Sequence, residues 1–367
     1  MPRLLVLALE NWLGAARLPR ALKCAGFEIS LLCYPNTLIS LTKYADDRDV
    51  CLPNDPAEIV LKRMLALLDA HPARMIVPAD DRALRYLCHL LEVAPIARFP
   101  KALVDLVRAS LPDPAAFKYG VDKEAATELM TGLGFRAPRR SMIWSMHELK
   151  SFIEEVGFPV VVKPLEGTAG QGVQILRDAA GLAAATITEN ERWMAQQYIR
   201  GKAAGAASVA LDGKCLATLA FEKTITYPGE TGPTSVATRL DTEEIHRGSA
   251  AFAEATNYNG FYSPGFVIEE ATGLPYFLEV NSRAIPIVPP SGKMGLDLCG
   301  ALYAGVVGAP PPTQDLSAPR VMAFYPQELH RDPNSPYRDL ILDEPFDDPL
   351  IHKAMEKGIE VLAAGRV

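Results

Sequence analysis

The most informative stretch of the chain is the glycine-rich segment KPLEGTAGQGV at residues 163–173. Three glycines and two other small residues fall within the six positions 167–172, so backbone N–H groups can approach an anion closely. The segment lacks the Gly-Lys-Ser/Thr ending of a Walker A loop, and residues 173–176 have the pattern of a strand, not a helix. We interpret it as a flexible cover over phosphates, with Lys163 at the end of the preceding strand; taken alone, it could also be a mobile surface hairpin.

Upstream of this segment, strand and helix patterns alternate. Strands are predicted at 3–9, 28–33 and 74–78, with helices at 15–25, 57–70 and from Asp80 to about 92. Asp80 is interpreted as the N-cap of its helix. Such alternation predicts a parallel, doubly wound sheet over residues 1–113, ending near the prolines of 111–114. Gly14 stands alone after the first strand, which disfavours a nicotinamide dehydrogenase.

Downstream of Asp122 the pattern changes from strand–helix alternation to hairpins. Asp212-Gly213 is a strong turn signal between strands at 207–211 and 214–222. A second hairpin is predicted at 265–280, and helices are predicted at 123–131 and 146–156. These patterns predict an α+β unit at 114–309, with one lobe at about 114–193 and another at about 194–309. A proline-rich linker then leads into an extension at 310–367.

A second segment with chemical potential is FLEVNSR at residues 277–283. Alternate side chains of a strand share a face, so Glu279, Asn281 and Arg283 are expected to point the same way. A carboxylate and an amide oxygen can share a hard cation, and an arginine can hold a phosphate or a carboxylate. On its own, such a pattern is more often a solvated strand face.

Taken together, these segments resemble the ATP-grasp superfamily over most of the chain and in the expected order. Asp122-Lys123 is similar to the start of the helix that carries the family's first ATP lysine. Lys163 matches the second lysine, 40 positions later. The remaining matches are the phosphate-covering loop at 167–172, the adenine-binding hinge at 195–201, the glycine-containing turn at 227–233 that borders the acceptor site, and the metal-binding strand at 278–283.

The resemblance implies a fold, a cofactor set and site residues. The fold class is an α/β parallel-sheet domain of the pre-ATP-grasp type followed by an α+β, two-lobed ATP-grasp domain. The cofactors are ATP and Mg²⁺, with Mn²⁺ as an alternative, and Glu279 and Asn281 are the expected metal ligands. Catalysis is assigned to Lys163 and Arg283, the latter holding the transferring phosphate, while Lys223 and Arg239 are weaker candidates for the acceptor region. The expected ATP contacts are Lys123, Lys163, Gly167, Thr168, Ala169, Gly170, Gly172, Gln197, Tyr198 and Ile199.

The chain departs from the family pattern at three positions. The family often has glutamates where this chain has Gln197 and Ala203, the second of them binding ribose. It also places a metal ligand about thirteen residues before Glu279, where this chain has Phe266. Glu269 or Glu270 could substitute for it, but both also fit exposed positions at a hairpin turn. The first two departures imply an altered nucleotide affinity or base preference, and the third leaves open a one-metal site or a protein that has lost turnover.

The expected function is an ADP-forming ligase that joins a small-molecule carboxylate to an amine through an acyl phosphate. A small-molecule kinase and a nucleotide-binding regulatory protein remain as alternatives.

A net charge of -7 without a basic cluster argues against a nucleic-acid partner. No apolar run reaches the roughly 20 residues of a membrane span. The six cysteines lie far apart, which indicates reduced thiols and a cytoplasmic protein, and a homodimer is the default for such enzymes.

Overall fold

A computed structural model describes residues 1–97, 99–165, 172–188 and 191–364. The first unit is a four-stranded sheet in which all neighbouring strands are parallel, in the order β3-β2-β1-β4. This confirms the predicted parallel sheet. Its strands are β1 Arg3–Ala8, β2 Glu28–Cys33, β3 Asp47–Val50 and β4 Met75–Pro78, and its helices are α1 Leu18–Ala25, α2 Ala57–Ala70, α3 Asp81–Ala97 and α4 Lys101–Arg108.

The central strand β1 is apolar on both faces because each face is covered. Leu4 and Val6 pack into one hydrophobic cluster, which also contains residues of the C-terminal half of the chain. Leu5 and Leu7 pack into a second cluster with α2, α3 and α4. Strand β3 was not predicted, because its sequence Asp-Arg-Asp-Val is an edge strand without apolar alternation.

The second sheet is antiparallel, in the order β5-β8-β6-β7, and it carries the segment that begins at Lys163. The short helix α5 Phe117–Val121 and the helix α6 Lys123–Gly132 lead into it. The Asp122 side chain caps α6 by accepting hydrogen bonds from the N–H groups of Glu124 and Ala125. The elements that follow are β5 Arg140–Ile143, α7 Met146–Val156, β6 Val160–Pro164, β7 Gln174–Leu176, α8 Ala179–Ala184 and β8 Trp193–Gln197.

The third sheet has six antiparallel strands in the order β13-β12-β9-β10-β11-β14. Asp212 and Gly213 both have positive φ at the turn between β9 and β10, as predicted for a two-residue hairpin loop. The hairpin of β12 and β13 is also confirmed. The elements are β9 Gly201–Leu211, β10 Lys214–Thr226, β11 Thr234–Arg239, α9 Glu243–Thr256, β12 Gly260–Glu269, β13 Pro275–Asn281, α10 Leu298–Val307 and β14 Val321–Ala323.

The C-terminal segment connects the third sheet to the first unit. Its strand β14 forms the edge of the six-stranded sheet, beside β11. Its helices are α11 Gln327–Arg331 and α12 Pro349–Ala364. Ile351 and Met355 of α12 pack in one small cluster with Ala16 of the first unit. Among the described residues, no helix is both long enough and apolar enough to cross a bilayer.

A buried ion pair joins the C-terminal segment to the first unit. The Arg17 guanidinium donates to the Asp343 carboxylate and, at 3.2 Å, to the Tyr325 carbonyl. Both charged side chains are almost fully buried, at 6% and 0% exposure.

We expect Arg17→Met to lower the free energy of unfolding by about 3–5 kcal/mol, because it leaves the Asp343 carboxylate buried without its cation. Denaturant unfolding of the variant measures this loss. Arg20→Met removes an exposed pair with Asp347 and serves as the control, with an expected loss of about 0–1 kcal/mol. Equal losses of unfolding free energy in the two variants would show that the buried ion pair stabilises the fold no more than the exposed pair does.

Candidate functional site

Two lysines predicted to contact ATP lie at the carboxyl end of β6. Lys163 is the fourth residue of that strand and is only 7% exposed. Lys123, at the start of α6, donates to the carbonyl of Pro164 with an Nζ–O distance of 3.4 Å. The pKa of Lys163 is lowered, chiefly by burial and also by the charges of Lys123 and Arg140, while Glu279 opposes the shift. Two cations are thus held together at one strand end.

Glu279 reaches the same region from the third sheet because of a β-bulge. In register, Phe266 opposes Phe277 but Gly265 opposes Glu279, so one extra residue of β13 is inserted between the two pairs. Phe277 and Val280 pack in the core cluster of α9, whereas in a regular strand Phe277 and Glu279 would share a face. The bulge therefore turns Glu279 away from that core.

The charges of four cations converge on Glu279. Burial raises the pKa of this half-buried carboxyl, but Lys163, Lys123, Lys223 and Arg283 together lower it below its ordinary value. The carboxylate is therefore ionised at neutral pH. Lys123 and Lys163 come from the second sheet and its leading helix, and Lys223 comes from β10 of the third sheet. The site thus lies where the two sheets face each other.

Arg283 is held at the junction with the first unit. Its guanidinium pairs with both carboxylate oxygens of Asp81, at 2.9 and 3.0 Å, and it lies 4.0 Å from the ring centre of Trp12. Asp81 begins α3, directly after β4, and Trp12 follows β1. Sequence reasoning missed both partners. Their position in the sequence could have indicated them, because both residues follow a strand of the parallel sheet. Ligands of such sheets bind beyond the carboxyl ends of the strands.

The predicted adenine hinge lies at the crossing from β8 to β9. Gln197 ends β8, and its Oε1 accepts from the Arg139 N–H at 3.3 Å. Ile199 is buried, at 9% exposure. The Tyr198 hydroxyl donates to Glu230 at 3.1 Å, and Glu230 pairs with Arg177 at 2.7 Å. Glu230 belongs to the turn that was expected to border the acceptor, so that turn contacts the hinge.

Part of the predicted phosphate loop falls outside the described residues, namely Gly167, Thr168, Ala169, Gly170 and Gln171. Gly172, at the end of the loop, has a φ of +72° and lies close enough to Pro164 that a Cβ would approach its ring at 3.0 Å. Glycine is the residue that this backbone conformation and this close approach favour. Gly172 therefore lies at a tight turn of the chain back toward β6. Its contact with ATP stays a prediction.

At the position where the family pattern places the first metal ligand, this chain has a core residue. Phe266 is buried in the core, at 2% exposure, and packs edge-on against Phe277 with ring centres 5.9 Å apart. Glu269 accepts a hydrogen bond from Thr272 within the hairpin turn. It lies four residues along β12 from Gly265, the partner of Glu279, or about 13 Å at the rise of a strand. Glu269 therefore does not substitute for the missing ligand.

Arg239 has a structural role. It is 1% exposed, and its guanidinium donates to the carbonyls of Met294, Asp315 and Leu316 at 2.8, 3.1 and 3.3 Å. These contacts tie β11 to the segment that leads into β14. Backbone carbonyls therefore occupy the Arg239 guanidinium, which contradicts its expected role in the acceptor region.

Asp80 is the N-cap of α3, as predicted, and it also holds the end of β1. One carboxylate oxygen accepts from the Ala83 N–H at 2.8 Å, and the other accepts from Leu9 at 2.7 Å and Glu10 at 3.1 Å. Burial raises the pKa of Asp80 to about 7, although these three backbone hydrogen bonds oppose the shift.

The raised pKa of Asp80 predicts a pH-dependent stability. Between its ordinary pKa of 3.8 and about 7, the folded carboxyl keeps a proton that the unfolded chain releases. Raising the pH through this window therefore favours unfolding, by at most about 1.4 kcal/mol per pH unit. We expect the stability of wild type relative to Asp80→Asn to fall as the pH rises from about 4 to about 7. Denaturant unfolding of both proteins across this range checks the sign, and a rising or flat difference would contradict it.

The residues around Glu279 fit a divalent cation. Glu279 is ionised, and Asn281 opposes Ser263 two register positions beyond the Gly265–Glu279 pair, on the same strand face. A carboxylate with an amide oxygen is the ligand chemistry that Mg²⁺ accepts when phosphate oxygens and water complete its shell.

Comparisons with known proteins identify a family model over part of the chain. Residues 121–285 match the family model of the ATP-grasp domain. The carbamoyl phosphate synthase large chain of Sulfolobus acidocaldarius is 24% identical over 198 residues, which is 51% of this chain and 19% of that protein. A probable alpha-L-glutamate ligase of Aeromonas salmonicida is 31% identical over 172 residues, 44% of this chain and 55% of that protein. The chain thus spans about a fifth of the first of these relatives and about half of the second.

Solved structures support the fold. The biotin carboxylase domain of 2-oxoglutarate carboxylase from Hydrogenobacter thermophilus, in complex with MgADP and bicarbonate, has a TM-score of 0.62 at 18% identity, covering 87% of this chain and 74% of that one. N5-carboxyaminoimidazole synthetase from Staphylococcus aureus, complexed with ADP, has a TM-score of 0.67 at 14% identity, covering 88% and 82%. Residues 121–285 of this chain thus match the ATP-grasp domain, and the solved structures share its fold.

Proposed function

We propose that the protein is an ATP-dependent ligase that activates a small-molecule carboxylate as an acyl phosphate and joins it to an amine, releasing ADP and phosphate. The observation that carries this proposal is the convergence of four cations on Glu279 between the two sheets. Such a site can hold a triphosphate and its metal ion together. The relatives named above, a glutamate ligase and a carbamoyl phosphate synthase, support the ligase class.

Each residue of the site has a proposed role. Lys123 and Lys163 neutralise phosphate charge at the end of β6, and the 167–172 segment covers the phosphates. Tyr198 and Ile199 border the adenine. Mg²⁺, or Mn²⁺ in its place, held by Glu279 and Asn281 would neutralise the β- and γ-phosphate oxygens. Phosphoryl transfer needs little covalent help from the protein, so positioning and charge neutralisation are sufficient.

The acceptor is proposed to enter from the side of the first unit. Arg283 is held there by Asp81 and Trp12, so its guanidinium has a fixed position next to the cation cluster. A carboxylate oxygen of the acceptor attacks the γ-phosphorus, and the bond from that phosphorus to the β–γ bridging oxygen breaks to release ADP. The amine then attacks the acyl carbon and phosphate leaves. Arg283 would steady the transferring phosphate and the acceptor.

A second candidate function is nucleotide binding without turnover, or turnover with one metal ion. The burial of Phe266 at the expected ligand position favours it, because a phenyl ring in the core supplies no oxygen to a metal. A small-molecule kinase would bind ATP in the same way, but no separate observation favours a kinase over a ligase.

The test is ADP release from ATP, measured across pooled small carboxylates and amines, together with ATP binding with and without Mg²⁺. We expect ADP release that requires one acid and one amine at the same time, and ATP binding that requires Mg²⁺. ADP release with an alcohol alone would indicate a kinase. Tight ATP binding without turnover in any pool would support the regulatory alternative. We further propose that the protein acts in the cytoplasm. We also propose that it is a homodimer, and sedimentation can test this oligomeric state.

A further inference from the structure

The corner formed by α5 and α6, residues 117–132, packs against β13 at two points. Met130 of α6 lies in one buried cluster with Phe277, near the start of the strand. Gly120 of α5 approaches Ser282, which directly follows the strand and is only 2% exposed. The corner therefore contacts the chain both before and after the proposed metal ligands.

The contact at Gly120 leaves no room for a side chain. A Cβ on Gly120 would lie 2.5 Å from the hydroxyl oxygen of Ser282 and 3.0 Å from its Cβ, whereas ordinary van der Waals contacts begin at 3.4 Å. Rotation of the hydroxyl would relieve the first overlap but not the second, because the backbone fixes the position of Cβ. A larger residue at position 120 would therefore push α5 and the end of β13 apart.

The same corner carries one of the proposed ATP lysines and is fixed to the second sheet. Lys123, at the start of α6, donates to the Pro164 carbonyl at the end of β6. Glu124 accepts from Nε of Arg140, on β5, at 2.9 Å. The corner thus connects the second sheet to the end of β13, and the closeness of its second contact depends on Gly120.

Ser282 transmits this contact to the proposed active site. It stands in the chain between Asn281, a proposed metal ligand, and Arg283, which is proposed to hold the transferring phosphate. Covalent geometry carries a shift of the Ser282 backbone into both neighbours. A displacement of about 1 Å at reacting groups can cost about 10²-fold in rate. The Gly120 contact is therefore close enough to the proposed metal and phosphate site to affect its geometry.

We propose that Gly120 is a positioning residue, whose missing side chain sets the placement of Asn281 and Arg283 relative to Lys123. The metal ion would then be held at the correct distance from the ATP phosphates. This role rests on the proposed function, whereas the packing of Gly120 on Ser282 does not. Gly120 acts through Ser282.

The test is Gly120→Ala, measured by titration of ATP binding against Mg²⁺ and by steady-state kinetics. We expect the Mg²⁺ concentration for half-maximal ATP binding to rise about 10-fold and kcat to fall about 10- to 100-fold. KM for ATP at saturating Mg²⁺ should change little, because the second sheet is untouched. Gly132→Ala is the matched control, since no atom of the described residues would lie within 4 Å of its Cβ, and it should behave as wild type.

A compensating substitution separates positioning from simple loss of stability. Gly120→Ala combined with Ser282→Gly removes both overlapping atoms, so the double variant should recover the Mg²⁺ dependence and the kcat of Ser282→Gly alone. Hydrogen exchange reports on the packing without any substrate. Backbone amides at 280–284 should exchange faster in Gly120→Ala and return to the Ser282→Gly rate in the double variant. If Gly120→Ala does not fold, Ser282→Thr adds bulk from the other side and should give the same changes.

Each outcome supports the proposal or overturns it. Unchanged exchange at 280–284, or the absence of rescue by Ser282→Gly, contradicts the packing on which the proposal depends. Faster exchange with an unaltered Mg²⁺ dependence leaves a structural contact only and rejects the positioning role. Wild-type protein that binds no ATP at any Mg²⁺ concentration rejects the proposed function, and the role of Gly120 with it. Normal Mg²⁺-dependent binding in both wild type and Gly120→Ala rejects the positioning role alone.

Discussion

Replacing Lys163 by methionine is expected to lower kcat/KM for ADP formation by about 10²–10³-fold, or about 3–4 kcal/mol of transition-state stabilisation. Lys163 is buried at the end of β6, where its ammonium faces Glu279 and adjoins Lys123. A charge in such a dry site stabilises developing phosphate charge more than an exposed charge does. Steady-state kinetics with the substrates found by the ADP-release screen measure the loss.

The same substitution is expected to leave the fold intact. Methionine has a similar length, and it removes the desolvation cost that lowers the pKa of Lys163. Glu279 keeps Lys123, Lys223 and Arg283 as neighbouring cations. The unfolding midpoint should therefore stay the same or rise while activity falls. Lys150→Met on the exposed face of α7 is the control, and Lys163→Arg should recover part of the rate. Unchanged turnover in Lys163→Met would remove Lys163 from the site.

Glu279→Gln is the second substitution with a large expected effect. We expect ATP binding to lose its dependence on Mg²⁺, and kcat to fall by about 10²–10³-fold, because a neutral amide holds a hard cation poorly. Titration of ATP binding against Mg²⁺, beside kinetics, measures both changes. Glu269→Gln, in the turn of the same hairpin, is the matched control and should behave as wild type. An unaltered Mg²⁺ requirement in Glu279→Gln would falsify the assignment of Glu279 as a ligand.

Glu279→Gln should also change the pH dependence of stability. The pKa of Glu279 is lowered in the folded protein by its four cationic neighbours. Its stabilising effect is therefore present above the ordinary pKa of 4.5 and is lost as the pH falls through the lowered value. The variant should be less stable than wild type near neutral pH, and the two should converge in acid. Urea unfolding at several pH values provides this readout, and a gap that widens in acid would contradict it.

Much of the fold could be predicted because the local signals agree with the tertiary structure. Alternation of buried strands with helices predicted the parallel sheet, and Asp212-Gly213 predicted the hairpin of β9 and β10. Asp80 was recognisable as a helix cap, and Asp122 as the residue at the head of α6. Strand β3 could not be predicted, because an exposed edge strand needs no apolar pattern and is defined by pairing with β2.

The candidate site was predictable in its residue types but not in its contacts. The lysine and glycine pattern at 163–172 and the Glu-x-Asn-x-Arg pattern at 279–283 are both visible in the sequence. The sequence does not show that Arg283 pairs with Asp81, which lies 202 positions away. The sequence also does not show that Arg239 has a structural role. A buried arginine that donates to backbone carbonyls has the same sequence signature as an arginine that binds a substrate.

The sequence by itself determined that this chain has a parallel-sheet unit followed by hairpin-rich lobes, and which charged residues are candidates for binding phosphate and metal. These features follow from local periodicity and backbone preferences, which act over a few residues. Only the tertiary structure decided that β13 carries a bulge, which turns Glu279 away from Phe277 toward Lys163, and that Trp12 and Asp81 hold Arg283. Burial and electrostatic coupling depend on segments distant in sequence, so they arise only when the sheets pack together.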